Sequence, residues 1–264
     1  MLTQDSNSAP GFSYDLRLYD SLSFPTLHVH RSAELILPIE GCAKVTVGNR
    51  EYALGTGYAL LVLPFVPHAF EAEDAKLVVC VFSRECARDF YEYLGNRRCG
   101  DPIFQPSGAA VKYLVERLGF YRTTDRGSVY QKNDLPPLAV TSVLSAVLGS
   151  FLVQVKFDSE PGISEKLLDY ISLHSAEDLT LRSLAAAFGY EPHYLSRILG
   201  RCTGMNFRAL VNSCRVEAAK ELMTCGTPIT EAALSTGFGS LRTFDRVFQE
   251  FVGMSPGKWV RQVR

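Results

Sequence analysis

The chain has 264 residues, 47% of them apolar and 21% charged, which excludes a disordered polar chain and leaves room for two ordinary hydrophobic cores. Its longest apolar runs, such as residues 58–67, fall well short of a bilayer span and hold prolines, so no membrane segment is expected and the cytoplasm is the expected location. Net charge is −1, yet residues 191–264 carry ten Lys and Arg against six Asp and Glu, a local +4 over a remainder of −5; a basic end of this kind suits contact with nucleic acid.

Residues 1–13 are polar, lack the basic start and apolar stretch of a secretion signal, and read as a mobile arm. From Tyr14 to Phe82 the apolar period is near two, broken at Gly41, Gly48-Asn49, Gly55, Gly57, Pro64 and Pro67. Short strands at close turn spacing imply an antiparallel barrel or sandwich, with a hairpin turn at Gly48-Asn49. The carboxylates Glu71, Glu73 and Asp74 fall on an expected loop and receive no role. Arg84–Leu94, Gly108–Tyr121 and Leu138–Val155 switch to helical spacing, and residues 122–137, polar with Gly and paired Pro, read as a loop. The seven cysteines form no CxxC pair and are odd in number, which implies reduced thiols rather than a disulfide framework or a zinc site. Asp158–Gly162 is the expected domain boundary, followed by short helices over 163–174, 181–188, 192–200, 206–224, 229–236, 241–250 and 256–262.

Within these helices a segment recurs. Residues 183–190 (SLAAAFGY) and 231–238 (EAALSTGF) share Ala185 and Ala233, Gly189 and Gly237, and Tyr190 and Phe238 at an offset of 48. Two helices crossing steeply through a short turn need a small residue where they touch and a glycine where the backbone turns left-handed. Apolar residues then point inward: Leu181, Leu184, Phe188, Tyr190, Leu195 and Ile198 in the first unit, and Ile229, Ala232, Phe238, Phe244, Val247 and Phe248 in the second. Thr180 is an expected N-cap of the first unit, and Thr227-Pro228 an expected cap and first-turn proline of the second. Two helix-turn-helix units joined by an apolar-periodic helix over 207–223 follow.

The stretches 179–191 (LTLRSLAAAFGYE), 193–199 (HYLSRIL), 204–208 (GMNFR), 215–223 (RVEAAKELM), 229–241 (ITEAALSTGFGSL) and 244–256 (FDRVFQEFVGMSP), with Trp259, resemble the AraC/XylS family of bacterial regulators across residues 161–264. The resemblance implies two recognition helices entering successive major grooves on one face of DNA, about 34 Å apart. It places base contacts at His193, Ser196 and Arg197 in the first unit, and at Leu241, Arg242, Thr243 and Arg246 in the second, with Asp245 as an alternative. Arginine can bind guanine through two parallel hydrogen bonds, and leucine can touch a thymine methyl. Arg201, Arg208, Arg215 and Lys258 are phosphate candidates, and any of these arginines has a structural alternative as a solvated or bracing charge. Glu191-Pro192 and Leu241 depart from the small polar residues usual at those places, which bears on sequence preference rather than on the mode of binding.

Upstream, His28-x-His30-x3-Glu34-x6-Gly41 and Gly57…Pro64-x-x-Pro67-His68 resemble the two motifs of a cupin barrel. In a metal-binding cupin His28, His30, Glu34 and His68 would be ligands. Regulators of the resembled family carry the same skeleton mostly as a metal-free effector pocket, and the second motif lacks its usual glycine and asparagine. A polar pocket walled by Arg17, His28, His30, Glu34, Tyr52, Phe65 and His68 is therefore the leading reading, suited to a sugar, small acid or similar metabolite, beside a metal set and purely structural histidines. The apolar segment 138–155 reads either as core or, preferably, as the family's dimerisation helix.

The expected fold is α+β in two domains: an arm over 1–13, a cupin-like β-barrel with following helices over 14–157 for ligand sensing and dimerisation, and an all-α AraC-type domain with tandem helix-turn-helix units over 158–264. The expected function is a sequence-specific transcription regulator whose cupin-like domain senses a small molecule; the alternative is a metal-dependent cupin enzyme carrying a DNA-binding module. No enzymatic activity and no cofactor are expected. Expected partners are double-stranded DNA, a small-molecule effector, a second copy in a homodimer, and RNA polymerase if the protein is an activator.

Overall fold

A computed structural model describes residues 14–84, 86–95, 97, 99–117, 121–124, 127–129, 137–157 and 162–263. The expected arm over 1–13 lies outside them. The chain divides into two compact units, with the boundary between residues 157 and 162.

The first unit is a nearly closed, mainly antiparallel barrel followed by helices. Strands β1 (Tyr14–His28), β2 (Ala33–Glu40), β3 (Cys42–Val47), β4 (Arg50–Gly55), β5 (Ala59–Val62) and β6 (His68–Phe82) come in direct succession. The long β6 is the hub: it pairs along its length with β1 and, on its other edge, first with β3 and then with β2. Gly48-Asn49 forms the two-residue hairpin turn expected there, with Val47 opposite Arg50. Glu71, Glu73 and Asp74 do not form the expected loop. The strand runs on through them, bulged where Asp74 takes a φ of 52° and the β1 register shifts; a bulge keeps two strands paired around extra polar residues that read as a turn in the sequence.

Alternation decides what each face meets. Ala33, Leu35, Leu37, Val78, Cys80 and Phe82 pack against helices α1 (Arg88–Leu94), α2 (Gly108–Arg117) and α3 (Pro137–Gln154). Helix α2 follows the short strand β7 (Ile103–Phe104), which extends the sheet at β5. Helix α3 puts Val140, Val143, Leu144, Val147, Leu148 and Phe151 into that core, while Leu138 and Val153 are 76% and 87% exposed. One expectation fails here. Tyr121 does not end a helix, and residues 122–129 are not all loop: β8 (Tyr121–Thr124) and β9 (Gly127–Val129) form a hairpin, with β8 parallel to β1. Its polar residues carry no apolar alternation that would have announced it.

The second unit is all helix: α4 (Ile163–His174), α5 (Leu181–Phe188), α6 (Pro192–Thr203), α7 (Phe207–Thr224), α8 (Ile229–Ser235), α9 (Leu241–Val252) and α10 (Pro256–Val263). Thr180 caps α5 as expected: its hydroxyl accepts from the Ser183 amide, and Ser183 returns the bond to the Thr180 backbone. The start of α8 differs from expectation. Pro228, not Thr227, is the N-cap, with no side-chain hydrogen bond to the helix. Around α7 the second helix-turn-helix packs Ala232, Ala233, Phe238, Phe244, Val247, Phe248 and Trp259 against Val216, Ala219 and Met223. None of the seven cysteines is in a disulfide. Among the described residues no helix is long and apolar enough to cross a membrane.

Candidate functional site

The polar site of the barrel is assembled from three strand ends. β1 closes on His28, which pairs directly with His68 at the start of β6, and their rings lie 4.1 Å apart. His30 follows in the turn that leads to β2. On β2 Leu35 and Leu37 face the helices, so Glu34 faces the opposite way, into the barrel, between Val62 and Val81, and is fully buried. One carboxylate oxygen, Oε2, lies 2.9 Å from Nε2 of His30 and 3.2 Å from Nε2 of His68. The far nitrogens are held by the backbone: Nδ1 of His30 is 2.9 Å from the Ser32 carbonyl, and Nδ1 of His68 is 2.9 Å from the Val66 carbonyl. The donor atoms of His28, His30, Glu34 and His68 all fall within 4.8 Å of one another.

Burial pushes the Glu34 carboxyl up, but the contacts with His30 and His68 outweigh it and hold the group well below the usual carboxylate range. For His68 burial pushes the imidazole down, and the Glu34 carboxylate with the Val66 carbonyl outweighs it, so the ring holds its second proton more tightly than usual. Phe65 carries the turn between β5 and β6. It is buried, its amide donates to the His30 carbonyl at 2.9 Å, and its φ is 61°, a left-handed conformation that costs a residue with a Cβ about 1–2 kcal/mol. Strain of this kind collects where a turn must present a site. Tyr52 is half-buried on β4; through Val45 and Phe70 it shares a sheet face with His68. The backbone of Arg17 pairs with Val79 in β1, and its side chain lies outside the described ones.

The second unit presents its candidate contacts along α6 and α9, from their first turns to Arg201 in the last turn of α6. His193, Arg197 and Arg201 are exposed on α6, with Ser196 half-buried; Leu241, Arg242 and Arg246 are exposed on α9. Thr243 is half-buried and occupied locally: its amide donates to the Ser240 hydroxyl, the N-cap of α9, at 3.2 Å, and the two hydroxyls are 3.0 Å apart. Arg246 sits 3.3 Å from Glu250 in an exposed pair one helical turn apart.

The repeat needs a correction. The offset of 48 holds from Ala185–Ala233 through Gly189–Gly237, but the recognition helices align at 49: buried Leu195 and Leu199 match buried Phe244 and Phe248, and the left-handed caps Gly204 and Gly253 match each other. The second turn is one residue longer. On this alignment Arg197 is the counterpart of Arg246, and His193 of Arg242. Tyr190 also departs from expectation. It is not inward like Phe238 but 45% exposed, stacked on Tyr194 with ring centres 5.3 Å apart.

Arg215, one of the phosphate candidates, is braced within its own unit. Its Nε donates to the Ser175 carbonyl at 2.6 Å and its terminal nitrogen to the Glu177 carbonyl at 2.9 Å, with the guanidinium 5.9 Å over the Phe238 ring. The same turn meets the second unit's own turn: a Cβ on Gly237, whose φ is 89°, would stand 2.5 Å from the Ala176 carbonyl oxygen. Residues 175–177 are thus held from one side by Arg215 of α7 and met from the other by the glycine turn. No sequence signal marks Ser32, Val66 or Ser175 as partners, because each acts through its backbone carbonyl.

Comparison with known proteins agrees with this division. Residues 184–262 match the helix-turn-helix domain family and residues 21–83 the cupin domain family. An uncharacterised helix-turn-helix-type transcriptional regulator of Staphylococcus aureus strain MRSA252 is 35% identical over 95 residues, 36% of this chain. That match spans 13% of the relative's own length. The Bacillus subtilis regulator YobQ, also uncharacterised, is 25% identical over 244 residues, 91% of this chain and 88% of its own. Among solved structures, ToxT of Vibrio cholerae O395 has a TM-score of 0.57 at 16% identity, covering 97% of this chain and 99% of that one. A ToxT structure with an unsaturated fatty acid bound has a TM-score of 0.54 at 16% identity, covering 97% and 96%. Identities this low speak for a shared fold alone.

Proposed function

This chain belongs to the AraC-type transcription regulators, with a cupin domain ahead of its helix-turn-helix domain, and from that premise we propose that it reads a specific DNA site under the control of a small molecule held in the barrel. The observation that carries the DNA half is the pair of exposed recognition-helix faces, with Arg197 and Arg246 in equivalent positions and His193 and Arg242 beside them. We assign base contacts to His193, Ser196, Arg197, Leu241, Arg242 and Arg246, phosphate contact to Arg201, and to Thr243 chiefly a capping role that orients Arg242.

The buried polar cluster of the barrel supports the sensing half. ToxT is solved with an unsaturated fatty acid, whereas this cluster favours a polar molecule such as a sugar or small acid. The barrel acts as a sensor rather than an enzyme in this reading, and the exposed face of α3 is assigned to a homodimer contact. Binding of effector then biases DNA affinity through a coupling between two sites.

The test is an electrophoretic shift with DNA flanking the protein's own gene, at stated salt, with and without metabolite extract. One retained fragment and a change on adding extract are the expected result. Arg242→Ala with Arg246→Ala should weaken that complex by about 1–3 kcal/mol for each lost bidentate contact; unchanged affinity would refute the assignment of α9. A protein that retains no fragment, yet turns over a substrate, would instead be the enzyme.

A further inference from the structure

The first recognition helix carries a surface outside its base-reading face. Tyr190, in the turn, and Tyr194, in the first turn of α6, are 45% and 40% exposed, yet their rings stack with centres 5.3 Å and planes 28° apart. Among the described residues neither phenol hydroxyl has a hydrogen-bond partner. Two large rings thus stand in water, set against each other, with both hydroxyls unspent. Rings that are already stacked have less freedom to lose when a partner arrives.

Helix geometry says what that partner is. Seven residues fall about 20° short of two full turns, so Tyr194 and Arg201 share one flank of α6, about 10.5 Å apart along its axis. Arg197 stands between them along the helix, nearer the middle of the outward face. Arg201 is exposed in the last turn, and its assignment is a phosphate. A flank that ends on a phosphate-binding cation and begins with two free phenols follows a sugar-phosphate strand rather than base edges. Tyrosine is an ordinary donor to phosphate oxygen, and a hydrogen bond to an ionised oxygen is about twice as strong as one between neutral groups. Glu191, the exposed acid between the tyrosines in sequence, makes no capping bond and is outnumbered by Arg197 and Arg201.

The second unit is not built this way. On the offset of 49, Thr243 stands where Tyr194 does and Glu250 where Arg201 does. The Thr243 hydroxyl is spent on Ser240 at 3.0 Å, and the Glu250 carboxylate on Arg246 at 3.3 Å. Phe238, the counterpart of Tyr190, is buried and has no hydroxyl. We propose that Tyr190 and Tyr194 clamp one DNA strand by donating their phenol protons to backbone phosphates. The first unit is then the anchor, and the second reads bases with little backbone grip on the matching flank. The clamp rests on the regulator reading and adds to it a division of labour between the two units.

The experiment is fluorescence anisotropy of the full-length chain across a salt series, with two labelled duplexes: the fragment that the wild type retains and a duplex of equal length and shuffled sequence. Tyr190→Phe and Tyr194→Phe keep both rings and remove one hydroxyl each. Each is expected to weaken binding about tenfold, with thermal unfolding unchanged. The factor should be the same on both duplexes, because phosphate contacts carry no sequence information. A phenol is neutral, so the slope of log affinity against log salt should stay that of the wild type, whereas Arg201→Ala should lower it by about one. Wild-type affinity in both phenylalanine variants overturns the clamp and leaves the rings as the cover of a turn. A loss confined to the retained fragment overturns it as well, since the phenols would then be reading bases. Wild type that binds both duplexes equally would count against sequence-specific reading and leave the clamp standing; wild type that binds neither at low salt removes both.

Discussion

The two helix-turn-helix units carry nearly the same pattern and are built differently. The second rests on aromatic stacking: Phe238, Phe244, Phe248 and Trp259 form one buried run with ring centres 5.1–5.9 Å apart. The first is held by aliphatic side chains, Leu184, Leu195 and Leu199, and turns its aromatic pair, Tyr190 and Tyr194, to the outside. One hydroxyl separates Tyr190 from Phe238 at matched positions. Burying that hydroxyl without a partner costs a few kcal/mol, so the first turn leaves it in water and closes over smaller residues. A repeat in sequence therefore predicts the path of the backbone better than it predicts which side chains fill the core.

The glycines give the comparison its sharpest test. Gly189 and Gly237 both have positive φ, but a Cβ on Gly189 meets nothing within 4 Å whereas one on Gly237 strikes the Ala176 carbonyl. Gly189→Ala should cost only the left-handed conformation, about 1–2 kcal/mol. Gly237→Ala must also push the turn at 175–177 away from α9, and its cost should exceed the ~4–5 kcal/mol beyond which single substitutions become exceptional. Thermal unfolding of the two variants checks this; equal losses would break the idea that the second turn alone is wedged into the junction.

Next in size is the aromatic exchange. Phe238→Ala should destabilise the helical unit by about 3–5 kcal/mol, as large-to-small changes in a packed core do. Tyr190→Ala should stay within about 0.5 kcal/mol, as exposed sites do. Chemical denaturation of both variants, with DNA binding measured in parallel, separates core from surface. A large loss for Tyr190→Ala would return that residue to the core.

How far these features are legible follows from which physics writes itself into sequence. Cap residues, turn glycines and apolar periodicity act locally, so α4 to α9 and the Thr180 cap can be read directly. His28, His30, Glu34 and His68 stand out by motif spacing alone, although spacing does not say that their donor atoms meet. The β8–β9 hairpin stays hidden, because polar residues such as Thr123 and Ser128 show no alternation. So does the extra turn residue leading into α9, since an offset of 48 fits the recurring Ala, Gly and aromatic positions and shifts only afterwards. The bracing of Arg215 is hidden for another reason: its acceptors are backbone carbonyls some forty positions away in the chain, and every residue owns a carbonyl.

That brace is the third test. Arg215→Ala removes two charge-assisted hydrogen bonds across the junction and should cost roughly 1.5–3 kcal/mol, with part of the loss screened at the half-exposed guanidinium. If the junction fixes the spacing of the recognition helices, affinity for a full site should fall more than affinity for a half-site; equal falls at both would reduce Arg215 to a local prop.

The smallest effect concerns what the second recognition helix has that the first lacks. Arg246 is paired with Glu250, while the positions matching them in α6 are Arg197 and Arg201, two cations. An exposed pair at this spacing is worth about 0.3–0.5 kcal/mol, little enough for DNA to displace. Glu250→Gln should therefore leave stability almost unchanged and raise DNA affinity about twofold, the same few tenths of a kcal/mol read from the other side. The double variant with Arg246→Ala decides the cause. If the gain vanishes in that background, Glu250 acts by holding Arg246 back from DNA. If it persists, Glu250 acts only as a negative charge near phosphate, and the asymmetry between the two helices is one of field rather than of contact.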